Sequence, residues 1–415
     1  MSCLYYNDNQ LFIEHVCLAD IAEQFGTPCY LYSKKCIIDN YRAFRDAFAD
    51  IPHQICFAVK SNSNIAILQL LADMGAGFDI VSGGELKRVI AAGGDHKKVI
   101  FSGVGKSEQD IEEAIRIGIF CFNVESEQEL VRIAHLSAKQ NKIVNIMLRV
   151  NPDIDAKTHS YISTGMRENK FGIELIDLIT LLNKISELTS IKLIGIGCHI
   201  GSQITELEPF LLAMDHLLAI NATLKEQGIK IQYLNIGGGL GIVYRDETPP
   251  SVTEYAEALQ RKVSNTHLKL ILEPGRSIVG NAGILLTKIE YIKNTGDKHF
   301  AITDAGMNDL LRPALYNAWQ NIMPVTEHRG PELSYDIAGP VCESSDFLGR
   351  DRKLVIQPGD LLAIDCAGAY GFCMSSNYNS RCRPAEILIS GHDAYLIRRR
   401  ETIEDMIALE QLVVE

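Results

Sequence analysis

A lysine closes one of the most apolar stretches of the chain. Lys60 follows QICFAV (54–59). An amine at the end of a buried strand is desolvated, so its pKa falls and it can form a Schiff base with a carbonyl. Other reactive groups end similar runs. Asp79 and Ser82 lie near the end of GFDIV (77–81), and His199 ends KLIGIGCH (192–199), with Gly201-Ser202 just beyond. IQYLNIG (231–237) runs into Gly237-Gly238-Gly239, and LKLILE (268–273) ends in Glu273-Pro274-Gly275-Arg276. Each piece has an ordinary reading too. A lone lysine is usually a solvated surface charge, and a single histidine is more often a satisfied core residue. A glycine triplet is often only a tight turn, although it equally lets backbone N–H groups approach a phosphate. Glu273 before Pro-Gly could merely cap the next element.

What such groups can do together depends on the elements that carry them. Between residues 30 and 275, eight short β-branched runs alternate with segments of helical period. Besides the five above, of which QICFAV is the first, the runs are KVIFS (98–102), IFCFNV (119–124) and VNIMLRV (144–150). Helices are predicted over stretches such as Asn64–Met74, Gly84–Ala92, Glu108–Ile117, Glu127–Lys139 and Pro209–Gln227. This alternation predicts parallel βα units, and eight of them match the size of a (β/α)8 barrel. A doubly wound open sheet is the rival, but it requires a glycine-rich fingerprint after the first strand, where this chain has Lys60-Ser61-Asn62. After about Asn281, runs such as ILLTKIEYI, HFAITD, ELSYDIAG, DLLAIDC and AEILIS lack regular helices between them. They predict a mostly antiparallel β domain, which the early strands LFIEHV and PCYLYS are expected to join. The expected division is 1–33, 34–278 and 279–415. In a barrel, the residues that follow the strands share one rim. Gathered there, the lysine, the acid and the glycines suggest a phosphorylated cofactor held covalently, with a carboxylate tuning its ring nitrogen. That is the protein's share of pyridoxal phosphate chemistry.

The composition narrows the class. The 415 residues carry 40 Lys and Arg against 52 Asp and Glu, a net charge of −12, and no basic run stands out. Nucleic acid and anionic membrane are therefore poor partners. No apolar stretch is long enough to span a bilayer, and the N-terminus lacks the order of a signal peptide. Eleven cysteines without a CxxC pair read as reduced thiols of a cytosolic protein, with no disulfide framework and no metal site.

The motifs AVKSN (58–62), FDIVSGGEL (78–86), CHIGSQI (198–204), GGGLGI (237–242) and EPGRSIVGNAG (273–283) resemble the fold-type III pyridoxal phosphate decarboxylases. DAGMNDLLRPALYNA (304–318), GPVCESSDFLG (339–349) and GAYGFCMSSNYNSRCRPAEIL (368–388) bring the chain closest to the diaminopimelate decarboxylase family. The likeness runs in order over roughly residues 25–400. Departures are Ser61 where alanine is common, and Cys373 and Cys382 where serine and proline are common.

The resemblance implies roles. Lys60 would carry the cofactor, Glu273 would keep its ring nitrogen protonated, and His199 would stack on the ring. Asp79, Ser202, Gly239, Gly275, Arg276 and Tyr370 complete the implied cofactor-binding set. Arg276, Arg312, Tyr316, Glu343 and Tyr370 would bind the substrate, meso-diaminopimelate, whose distal zwitterionic end calls for a cationic fork and an anion. Cys342 would be the proton donor, entering the site of the other subunit of a homodimer. The expected activity is decarboxylation to L-lysine and CO2. The rivals are another basic-amino-acid or polyamine-precursor decarboxylase of the same fold, an inactive cofactor-binding homologue and, more weakly, a phosphate-binding isomerase barrel.

Overall fold

The structure, a computed structural model, describes residues 3–155 and 170–413. The chain divides into two compact units. One comprises Asn40–Val243 with Glu247–Ser277, and the other Met1–Asp39, Tyr244–Asp246 and Ile278–Glu415.

The first unit is a closed barrel of eight parallel strands. In barrel order they are strand 1 (His53–Ala58), strand 2 (Gly77–Ile80), strand 3 (Val99–Phe101), strand 4 (Cys121–Val124), strand 5 (Val144–Arg149), strand 6 (Ile191–Gly197), strand 7 (Tyr233–Asn235) and strand 8 (Lys269–Leu272). All eight predicted runs became barrel strands. They are nearly continuous in apolar residues because both faces are covered. Cys56, Ile100, Cys121, Met147, Ile194 and Ile271, from six strands, form one buried cluster that makes the barrel a packed core and not a pore. Several of the helices between the strands begin where the sequence offers a side-chain oxygen to the free N–H groups of the first turn. Ser82 caps Gly83–Ala91, Ser107 caps Glu108–Ile117 and Ser126 caps Glu127–Lys139.

The second unit is a mixed β domain. Its nine-stranded sheet is antiparallel except for two pairings, Lys298–Thr303 with Leu333–Ala338 and Cys29–Ser33 with Ala385–Ser390. The 13-residue strand Gly283–Thr295 pairs with Cys29–Ser33, Leu361–Ile364 and Lys298–Thr303. The early strand PCYLYS thus joins the C-terminal sheet, as expected. LFIEHV joins the same unit by packing, with Leu11 and Ile13 in one core cluster with Leu31, Ile284 and Ile387, and not by entering that sheet. It is not one strand: Gln10–Ile13 turns through Glu14, whose φ is 52°, into Val16–Cys17, and both belong to a separate three-stranded sheet. The helix Leu18–Phe25 that follows has no capping side chain to announce it. Among the described residues, no helix is long and apolar enough to cross a membrane.

Candidate active site

Strand 1 delivers Lys60 on a single 3-10 turn, Val59–Ser61. The turn swings the amine over the rim, where Nζ donates to Asp79 Oδ2 at 2.7 Å. Asp79 is fully buried on strand 2, and its Oδ1 has no hydrogen-bond partner among the described residues. A pocket opens beside the pair, lined by Lys60, Ser102, Asn123, Arg149, His199 and Glu273, among others.

Glu273 follows strand 8. Two carboxamides reach one of its oxygens, Oε1: Asn235 Nδ2 donates at 2.5 Å and Asn123 Nδ2 at 3.3 Å. Asn123 also donates to Ser102 Oγ at 2.8 Å. Both amides take Oε1, so Oε2 is left for another donor. Burial, and after it Asp79, pushes the Glu273 carboxyl up to about 7, against the opposing pull of Lys60, Asn235 and Arg149. A cationic N–H held against Oε2 would restore the anion.

His199 follows strand 6. Its Nδ1 accepts the Gly238 N–H at 3.2 Å, so the neutral ring carries its proton on Nε2. Burial, then Arg149 and Lys60, holds its pKa well below the usual imidazole range. The site therefore presents a neutral, flat ring. Gly238 and Gly239 pack too closely for side chains. A Cβ on Gly238 would lie 2.1 Å from the Glu273 carbonyl oxygen, and one on Gly239 2.4 Å from that of Gly201, with φ at +110°. Arg276 Nη2 donates to Ser202 Oγ at 3.0 Å, and Gly275 packs on Ser61 and Ala58.

The barrel unit thus brings Lys60, Asp79, His199 and Glu273 to one rim, and carries Ser202, Gly239 and Gly275 on its loops and Arg276 at the start of the short helix Arg276–Val279. The other predicted residues belong to the β domain. Arg312 is buried at the start of the short helix Arg312–Tyr316, its Cζ 4.6 Å from the Tyr244 ring centroid. Tyr316 ends that helix half-buried, and Tyr370 sits half-buried at φ 56°. Cys342 is exposed in a loop organised by the buried Asp346, whose carboxylate accepts the N–H groups of Met307 at 2.6 Å and Val341 at 2.7 Å. The Cys342 N–H donates to Asn379 Oδ1 at 2.9 Å, and Tyr378 Oη donates to the Glu343 carboxylate.

Residues 34–280 match the family described as pyridoxal-dependent decarboxylase, pyridoxal binding domain. The chain is 53% identical to the diaminopimelate decarboxylase of Vibrio cholerae over 99% of both chains. It is 52% identical to that of Pseudomonas aeruginosa over the full length of both. The chain belongs to the diaminopimelate decarboxylase family. The fold agrees: the crystal structure of the Helicobacter pylori diaminopimelate decarboxylase complexed with L-lysine superposes with a TM-score of 0.92. It is 39% identical, with 95% of this chain and 99% of that one covered. Within this member of the family, sequence reasoning missed the pocket residues Ser102, Asn123, Arg149 and Asn235. Ser102 follows a strand and Arg149 and Asn235 end one, so the rule that located Lys60 and His199 reaches these three once it is applied to every polar strand end, whereas Asn123 lies inside strand 4 and escapes it.

Proposed function

We propose that this chain decarboxylates meso-2,6-diaminopimelate to L-lysine and CO2, the last step of lysine biosynthesis, with pyridoxal phosphate as cofactor. The observation that carries the reading is full-length identity above 50% to diaminopimelate decarboxylases. The rim residues fit the cofactor. A lysine amine, a carboxylate with one oxygen left over, a neutral flat imidazole and two glycines too tight for a Cβ suit an aldehyde, a pyridine nitrogen, a ring face and a phosphate respectively.

When bound, pyridoxal phosphate supplies a sink for the electron pair left by departing CO2. Lys60 Nζ is the covalent anchor, with Asp79 holding it. Glu273 Oε2 holds the proton on the ring nitrogen, and its amide partners fix Oε1. His199, kept neutral, packs a ring face without adding charge. Ser202, Gly239, Gly275 and Arg276 receive the phosphate. In the β domain, Arg312 supplies the planar fork for the distal carboxylate. Tyr316, Glu343 and Tyr370 complete the recognition set with Arg276. Cys342 delivers a proton from its thiol to the carbon that has lost CO2, on a loop reaching the site of a second subunit. On this reading the protein is a cytoplasmic homodimer, with 34–278 as the cofactor-binding barrel and 1–33 with 279–415 as the β domain.

The test is an absorbance spectrum of the purified protein with and without meso-diaminopimelate, together with CO2 assay. A near-visible band that responds to this compound with stoichiometric lysine release is expected. A band that responds only to ornithine, arginine or lysine would refute the substrate assignment.

A further inference from the structure

One buried cation takes no part in the reading above. Lys106 is 5% exposed and its side chain fully buried. All three of its N–H donors are used: Nζ donates to Gly103 O at 2.7 Å, Asn123 O at 2.8 Å and Glu129 Oε1 at 2.6 Å. Two routes lead from it to the pocket. One is direct, since Asn123, whose backbone carbonyl it grips, turns its side chain onto Glu273. The other runs through Glu129, whose Oε2 accepts the Glu125 N–H at 3.0 Å. Glu125 Oε1 then accepts Gly103 N–H at 2.9 Å and Arg149 Nη1 at 2.9 Å, and Arg149 lines the pocket. The Glu125–Arg149 pair is itself nearly sealed, at 2% and 11% side-chain exposure.

Replacing a buried ion pair by apolar groups is often neutral or stabilising, so stability alone does not account for this arrangement. A hydrogen-bonded chain with every member satisfied instead fixes geometry. We propose that Lys106 is a positioning residue for the cofactor pocket, holding Asn123 by its carbonyl and Arg149 through Glu129 and Glu125. This rests on the reading of that pocket as the pyridoxal phosphate site.

The experiment is a double-mutant cycle on the full-length chain stripped of cofactor. Pyridoxal phosphate affinity is measured by titration for the wild type, Lys106→Met, Asn123→Ala and the double variant, with the Tm of each. If Lys106 acts through Asn123, each single variant raises Kd about tenfold, and the double falls well short of the roughly hundredfold expected of independent sites. A Lys106→Met protein with lowered Tm but unchanged Kd, or fully multiplicative effects, would overturn the proposal. Should Lys106→Met not fold, Glu129→Gln serves. Lys106 and Glu125 bond different oxygens of Glu129, and the amide puts an NH2 donor where one of them stood, so one of the two donors loses its acceptor; Kd should rise about threefold, and no change would equally refute the linkage. A wild-type chain that fails to bind pyridoxal phosphate overturns the pocket assignment, and this inference with it.

Discussion

The carboxylate of Glu273 shows how much one residue's setting decides. Two amides on one oxygen, a second acid nearby and deep burial leave it a proton-binding group near neutrality instead of an ordinary glutamate. Glu273→Gln keeps the shape but not the anion. A charged hydrogen bond contributes about 1.5–3 kcal/mol, so kcat should fall about ten- to a hundredfold or more, with cofactor retained; near wild-type turnover would mean another group protonates the ring. The same setting affects stability. The folded pKa, about 7, lies above the ordinary 4.5. This group therefore favours the folded, cofactor-free chain fully below about pH 4.5, and the contribution is lost as pH rises through 7. His199, with its lowered pKa, acts in the opposite sense, gaining stability as pH rises toward the free imidazole value. The comparison with the variant is therefore the informative one. Between pH 5 and 8, Glu273→Gln should lose less Tm than the wild type, and equal losses would remove Glu273 from the account. For Arg312, buried and set against Tyr244, Arg312→Lys keeps charge but loses the planar fork. KM for diaminopimelate should rise about tenfold or more, and an unchanged kcat/KM would reduce Arg312 to a structural residue. At this scale Lys60, Asp79, His199 and Glu273 were legible because each interrupts or ends an apolar run, whereas Arg149, within VNIMLRV, was passed over. Asn123 and Asn235 were not legible, because a neutral amide inside a strand carries no charge signal until its acceptor, 150 and 38 residues away, is known.

Among the elements, the loops that leave the strands are the most constrained. The Gly237–Gly239 segment is threaded between the Glu273 and Gly201 carbonyls, so Gly239→Ala must displace backbone at a position where φ is already +110°. Cofactor affinity should drop at least tenfold, read by titration, and an unaltered Kd would show that the loop can yield. The loop bearing Cys342 depends on Asp346. Asp346→Ala strands two N–H groups, those of Met307 and Val341, at about 1–3 kcal/mol each. Tm should fall by several degrees and kcat with it, while pyridoxal phosphate affinity is kept. The barrel strands and helices were readable because period, caps and apolar runs agree, as at Ser107 and Ser126. The hairpin at Glu14 and the helix Leu18–Phe25 were not. LFIEHV reads as one strand because its turn residue, Glu14, is neither glycine nor asparagine, and the helix start offers no capping oxygen.

Across the whole molecule, the proposed function divides the chemistry between a barrel that supplies Lys60 and a β domain that supplies Cys342. If the two act in one site from different subunits, two inactive variants should rescue each other. Mixing Lys60→Ala with Cys342→Ala protomers under exchange should recover up to about a quarter of wild-type activity, since half the dimers are mixed and each has one intact site. No recovery from verified heterodimers would put both residues in the same chain's site. Nothing in composition or periodicity spoke to subunit sharing; that expectation came from the likeness of the Cys342 loop to its family.

The strand Cys29–Ser33 lies inside its sheet, flanked by Gly283–Thr295 and Ala385–Ser390, and the Tyr32 hydroxyl donates to Glu386, 354 residues later. On the ribosome, where chains grow at about 5–20 residues per second, this strand emerges roughly 20–70 s before its last neighbour. Until Gly283–Thr295 appears, Cys29, Tyr30, Leu31 and Tyr32, all fully buried in the finished protein, have no sheet to enter, and until Ala385–Ser390 follows they can pair along one edge only. Nascent chains halted before residue 385 should therefore be the species that chaperones capture, whereas the barrel, whose strands span only His53–Leu272, can close while the β domain is still being made.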